Sequence, residues 1–298
     1  MRLLYRAPHY LNWSGQDSRR LCLNASVVMS ENDWVTGKVS LTIEGRPLEM
    51  QMTVPANPVK PHRMLPIFQQ MTNAFVDVSV EAVEAEGKQI SCKAGCGACC
   101  RQPVPIAETE IYQIAELVEA MDEPRRGEIK KRFAEAVEHF QKLNWFERMR
   151  ACVELSKTQT REEATKELEK TAMQYFYEGI PCPFLENESC SIHEARPLAC
   201  REYLVTSPAE NCSNPSAATI NKIDLLIKPS RTLRQLARTQ KFVEFGVLPL
   251  IRALELAEKF PESFVEKTGE RWMADFFQNL TRSEIPRKGQ SATTDGVL

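Results

Sequence analysis

The sequence predicts an α+β, mainly α protein, with an N-terminal β-hairpin or small sheet followed by a helical domain that carries a metal-binding cysteine cluster. Three observations carry this reading. Residues 38–54 alternate polar and apolar at the strand period, most of the chain after Leu65 repeats its apolar residues at the helical period, and eight of the ten cysteines fall in two groups that each follow a helix stop. At 298 residues and 43% hydrophobic content, the chain has enough apolar material for a proper core without disulfide staples.

The strand pattern begins near Leu21. Lys38-Val39-Ser40-Leu41-Thr42-Ile43 and Leu48-Glu49-Met50-Gln51-Met52-Thr53-Val54, separated by Glu44-Gly45-Arg46-Pro47, read as a β-hairpin. Pro55, Pro58, Pro61 and Pro66 cannot continue a ladder and predict a stiff, extended connection. Phe68, Met71, Thr72, Phe75 and Val76 then keep one apolar side of a helix until Gly87, a C-terminal stop. Helical patterns follow at 106–121 and 125–156, and a third opens at Thr160, with Glu163 in capping-box spacing, and stops near Gly179. Residues 206–217 have loop composition, helices resume at 230–245, 247–260 and 268–282, and the end reads as a disordered tail. The expected organisation is 1–63 β-rich, 64–220 a helical cysteine-cluster domain, 221–285 C-terminal helices and 286–298 tail.

The formal charge is −2 with both signs spread along the chain, so no global field points to nucleic acid or an anionic membrane. Met1 to Pro8 lacks an apolar run behind its positive charge, and no stretch approaches the roughly 18 apolar residues of a membrane span. A cytoplasmic location is expected. In a reducing compartment the cysteines stay thiols, and their crowding points to metal or redox chemistry.

The first group reads Cys92-Lys-Ala-Gly-Cys96-Gly-Ala-Cys99-Cys100. Such short spacings let one loop converge its thiolates without long-range closure, and Gly95 and Gly97 permit tight turns and close approach of N–H groups to sulfur. The second group holds Cys182, Cys190, Cys200 and Cys212, so the intervening helices are expected to bring two distant loops to one site. Eight sulfurs exceed the four that one tetrahedral zinc or one cubane takes. Either two centres lie close together or several thiols stay outside the ligand set; in extended geometry adjacent Cys99 and Cys100 diverge. His193, three residues after Cys190, is either a further ligand or a donor to a sulfur. Lys93, Arg101, Arg196 and Arg201 flank the cysteines as candidates for offsetting thiolate charge around a bound cofactor. The partner is thus a metal, zinc or iron, with a [4Fe–4S] cluster among the alternatives.

The pattern C-x3-C-x2-C-C, then C-P-x-L-x4-C-x-I-H-x2-R-P-x2-C-R, resembles the YkgJ-type cysteine-cluster (CxxCxxCC) family over roughly residues 88–205. The matching positions include Cys92, Cys96, Cys99, Cys100, Cys182, Cys190, His193, Arg196, Pro197, Cys200 and Arg201. The resemblance implies a zinc- or iron-chelating domain with flagellin lysine N-methylases as relatives, and implies a metal more firmly than a reaction. The expected function is a structural or metal-handling centre. The alternative is an Fe–S-dependent enzyme that modifies protein lysines or performs redox chemistry, with a protein partner or substrate.

Other signals are weaker. Cys92-x3-Cys96-x2-Cys99 has radical S-adenosylmethionine spacing, but Ala98 replaces the usual aromatic and helices, not alternating strands and helices, follow. No G-x-G-x-x-G opens a helix after a strand. Cys22 and Cys152 read as core residues, and His9, His62 and His139 as structural or solvated. Arg231, Arg234, Arg238 and Lys241 predict one solvated helix face, and Trp272, Met273, Phe276, Phe277 and Leu280 a buried stripe.

Overall fold

The computed structural model describes residues 22–29, 33–43, 46–216 and 218–282. The turn at Glu44-Gly45 and the tail at 286–298 lie outside the described residues. So do His9 and the side chain of Cys22, whose backbone is in the first strand.

Three strands, β1 (Cys22–Met29), β2 (Trp34–Ile43) and β3 (Arg46–Pro55), form an antiparallel sheet in the order β1-β2-β3. The register follows from the alternation. Val35, Val39 and Leu41 of β2 face Val54, Met50 and Leu48 of β3, so both strands turn their apolar residues to the same side. Polar partners share the other side, with Thr36 and Thr53 hydroxyls 2.9 Å apart and Lys38 paired with Glu49.

The inner face is covered by α1 (Leu65–Ala85) and α9 (Gly269–Arg282), from opposite ends of the described chain. Phe68 and Phe276 stack with centroids 4.7 Å apart, and buried Trp272 donates its indole N–H to Val59 O at 2.9 Å. The expected stripe from Trp272 to Leu280 is buried throughout. The proline-spaced connection is extended only in part: Val59 bridges Lys267, and Pro61–Met64 form a 3₁₀ turn that leads into α1.

A second apolar cluster lies among α2 (Glu108–Glu119), α3 (Arg125–Lys142) and α8 (Ala253–Lys259), and it includes Phe184 and Ile192. A third gathers around α3, α4 (Trp145–Thr158) and α5 (Arg161–Tyr177), with Phe140 stacked on Tyr175 at 3.9 Å. Thr160 accepts the Glu163 N–H in the expected capping box, and Gly87 and Gly179 stand at positive φ after α1 and α5. Cys152 is buried beside the Thr171 hydroxyl, as a core residue; His62 and His139 pair with Glu116 and Glu178.

Two expected helices are corrected. The pattern at 125–156 is broken into α3 and α4, because Asn144 adopts a left-handed conformation (φ 53°) and turns the chain between them. The pattern at 230–245 keeps only α7 (Pro229–Leu233) and a 3₁₀ stretch at 240–245. Ala237 takes φ 55°, and the buried Glu108 carboxylate captures the Thr239 N–H at 2.9 Å, which ends the helical path. The basic stripe therefore does not form: Arg234 is near the buried Glu202 and Glu110, while Lys241 donates to Pro261 O and Ser263 Oγ.

Candidate metal centre

The first cysteine loop follows α1. Ser91 N–H donates to Val205 O at 2.9 Å, and Val205 returns its N–H to the Cys92 sulfur. Gly95, at φ 81°, makes the turn into Cys96 and gives its N–H to Ser189 Oγ at 3.2 Å. Ala98–Arg101 then form a 3₁₀ turn that carries the adjacent Cys99 and Cys100.

The second loop begins at Cys182, whose N–H donates to Cys100 O at 2.7 Å and so stitches the two groups together across the helical insertion. The strands β4 (Leu185–Glu186) and β5 (Ser189–Cys190) make a two-residue hairpin through Asn187 (φ 49°) and Glu188 (φ 56°), both left-handed. Arg101 holds this tip with two bonds to the Glu188 carboxylate, 2.9 and 2.7 Å, and a third to Gly97 O at 3.0 Å. Cys200 lies in α6 (Leu198–Arg201), and Cys212 is buried in the 3₁₀ turn Ala209–Ser213.

Gly97 sits under the hairpin. A Cβ there meets Glu188 Oε2 at 2.6 Å, Leu185 Cδ1 at 2.8 Å and the Glu188 Cα at 3.2 Å. Gly97→Ala is therefore expected to push the hairpin off the first loop and to lower both the melting temperature and the metal content of the purified chain. Thermal denaturation with elemental analysis checks this.

Burial dominates the chemistry of the thiols. It pushes Cys182 up to about 12 and Cys212 up to about 11, and raises Cys92, Cys190 and Cys200. Cys99 is raised by its bond to Cys100, then by burial. Working the other way are backbone N–H groups given to sulfur, from Val205 to Cys92, Phe184 to Cys182 and Ile192 to Cys190. Such bonds favour thiolate and orient it, as in thiolate metal sites. The Arg196 charge also favours thiolate at Cys92, Cys99 and Cys190, and its Nε is buried without a hydrogen-bond partner.

The flanking cations take different positions. Arg201 is buried and committed to the chain itself, donating to Arg196 O at 3.1 Å, to Asn73 Oδ1 at 2.9 Å and to Glu194 O. Gln69, buried on α1, supports the same loop through Ala195 O and Arg196 O, at 3.1 and 3.3 Å. Lys93 is exposed on the first loop. His193 is exposed at the start of a 3₁₀ turn, and Arg196, burial and Arg201 lower its pKa. Tyr203 lies near Cys212, Cys99 and Cys92, with the Lys222 ammonium 4.6 Å from its ring centroid.

Sequence reasoning missed Gln69, Asn73, Glu188 and Glu110. Gln69 carried a signal, since it is an amide beside Phe68 on the apolar side of α1. Glu110 is fully buried and joins two helix starts, accepting the Ala107 N–H at 2.7 Å and the Leu198 N–H of α6 at 2.8 Å. Burial raises its pKa from 4.5 to about 7. The folded state then holds this proton more tightly than the unfolded chain does. Its contribution is fully favourable below the unfolded pKa and declines as pH rises through 7, by about 3 kcal/mol in all. Urea denaturation from about pH 4 to about pH 8 is expected to show a smaller pH-dependent loss in Glu110→Ala, by about that amount.

Among the described residues, no three His, Cys, Asp or Glu side chains are set as a finished metal-holding group. The donor set nonetheless fits zinc or iron in kind: soft thiols gathered from two loops, N–H groups aimed at three of them, and a guanidinium whose buried Nε lacks a protein partner. No helix among the described residues is long and apolar enough to cross a membrane. No curated protein and no solved structure matches the chain. Residues 91–219 match the family model CxxCxxCC, described as a "putative zinc- or iron-chelating domain", which covers both cysteine loops and the helices between them. Both cysteine loops of this chain thus fall within the stretch that is similar to a zinc- or iron-chelating domain.

Proposed function

We propose that the chain binds zinc or iron through thiolates of both cysteine loops, Cys92 to Cys100 and Cys182 to Cys212, and that the bound metal has a structural or metal-handling role. The observation that carries this reading is the direct bond from Cys182 N–H to Cys100 O, which joins loops separated by α2 to α5 at the cysteines themselves. The metal supplies a cationic centre that keeps the thiols deprotonated and cross-links the loops. Arg201, Gln69 and Arg101 act as positioning residues, because they hold the loop carbonyls and the hairpin tip in place. Arg196 offsets thiolate charge. His193 has cationic neighbours, Arg196 and Arg201, which suits an outer position better than a ligand.

Anaerobic purification followed by elemental analysis and visible absorption tests this. The expected result is stoichiometric zinc in a colourless protein or iron in a coloured one, the second of which favours an iron–sulfur centre. A metal-free chain that stays folded, with every thiol titratable, would overturn the reading.

A further inference from the structure

We propose that a cleft between α3 and the β4–β5 hairpin binds a small zwitterion carrying both a carboxylate and an ammonium, the amino-acid class. The proposal uses none of the cysteines and stands apart from metal binding.

The cleft has a volume of about 540 Å³, within the roughly 300–1,000 Å³ of small-ligand sites. Arg125, Glu128 and Arg132 recur at the helical spacing i, i+3, i+7, so α3 turns all three to it, and Leu185 and Glu186 of β4 form the facing wall. Pro124, just before α3, adds a second apolar surface.

The charges within it are incompletely matched. The Glu186 carboxylate meets Arg125 Nη2 and Arg132 Nη1 only at 3.5 Å each, longer than the roughly 2.7–2.9 Å of a full charge-assisted hydrogen bond. On the same hairpin Arg101 and Glu188 reach 2.9 and 2.7 Å, so the loose contacts belong to the cleft and not to the hairpin as a whole. Arg132 has one further acceptor, Pro183 O at 3.2 Å. Among the described residues, no ion pair or side-chain hydrogen bond engages the Glu128 carboxylate, although it lies between the two arginines on their own helix face.

These groups define the ligand. Two guanidiniums with donors to spare suit a planar carboxylate, and an unpaired carboxylate suits a compact ammonium. The two arginines and two glutamates cancel in sum, so a zwitterion brings no net charge, whereas a dianion would face Glu128 and Glu186 unopposed. Seven residues of helix span about 10 Å, with Glu128 midway, so the two charged ends of one amino acid reach both kinds of partner. Leu185 and Pro124 leave an apolar surface for an aliphatic side chain.

The test is isothermal titration calorimetry of the full-length protein as purified, at low ionic strength, with L-leucine. Two analogues keep its side chain and one charge each: 4-methylpentanoate, without the ammonium, and 3-methylbutylamine, without the carboxylate. One leucine per chain is expected, with each analogue about 10-fold weaker or more. Arg132→Gln is expected to weaken leucine and 4-methylpentanoate alike. Glu128→Gln is expected to weaken leucine and the amine but not 4-methylpentanoate, and Lys131→Gln, on the same helix outside the cleft, to change none of them. No saturable leucine binding, analogues that bind as tightly as leucine, or leucine binding indifferent to both Glu128→Gln and Arg132→Gln would each overturn the proposal. The wild-type comparison of the three ligands decides the matter even where a variant fails to fold.

Discussion

Removing the metal with a strong chelator under reducing conditions is expected to melt the region around the two cysteine loops and to lower stability by several kcal/mol, since structural zinc in small domains contributes on the order of 10 kcal/mol. The reason is local. The segment from Cys92 to Arg101 contributes no residue to the buried apolar clusters, and it is tied to the hairpin segment by the Cys182 N–H bond to Cys100 O, the Gly95 N–H bond to Ser189 Oγ and the Arg101 fork on Glu188. Without a metal cross-link, the mostly half-buried thiols remain where charge is disfavoured and little opposes chain entropy. By contrast, the sheet, α1 and α9 share their own aromatic core. Limited proteolysis is therefore expected to cut near 88–101 and 180–214 in the apo chain first, and to spare the strands of the sheet. Identical cleavage and melting with and without metal would contradict a structural role.

The second large effect is expected at Arg201, whose guanidinium donates to two carbonyls and an amide oxygen on three separate residues while 5% exposed. Hydrogen bonds to a charged group contribute about 1.5–3 kcal/mol each, and truncation leaves the carbonyls of Glu194 and Arg196 short of a donor. Arg201→Ala is expected to cost about 4 kcal/mol in urea denaturation and to reduce metal retention, because the loop that carries His193 to Pro197 loses its tie to Asn73 of α1. Arg201→Lys is expected to restore little, since one ammonium cannot span the fork. If Arg201 acts only through charge, the lysine variant recovers fully, and that outcome would contradict the positioning role.

Much of this was legible because it is local. The Cys92–Cys100 spacing, the Thr160–Glu163 cap and the Gly87 and Gly179 stops are encoded within a few residues. The failures share a cause. Periodicity cannot see that Glu108 will take the Thr239 N–H from 131 residues away, nor that Asn144 will turn left-handed between two apolar stripes. Likewise Arg201 looked like a charge beside cysteines; its role as a main-chain clamp depends on Asn73, 128 residues distant. Eight sulfurs were countable in the sequence, but the packing of the 98–101 turn on the 209–213 turn, which carries Cys212, was not.

X-ray absorption at the edge of the bound metal tests most directly whether both cysteine loops hold it, comparing the wild type with Cys96→Ser and Cys190→Ser. The account predicts a sulfur-dominated shell at about 2.3 Å whose sulfur count falls in both variants. A shell of nitrogen and oxygen, or a sulfur count unchanged by loss of a cysteine from either loop, would contradict it.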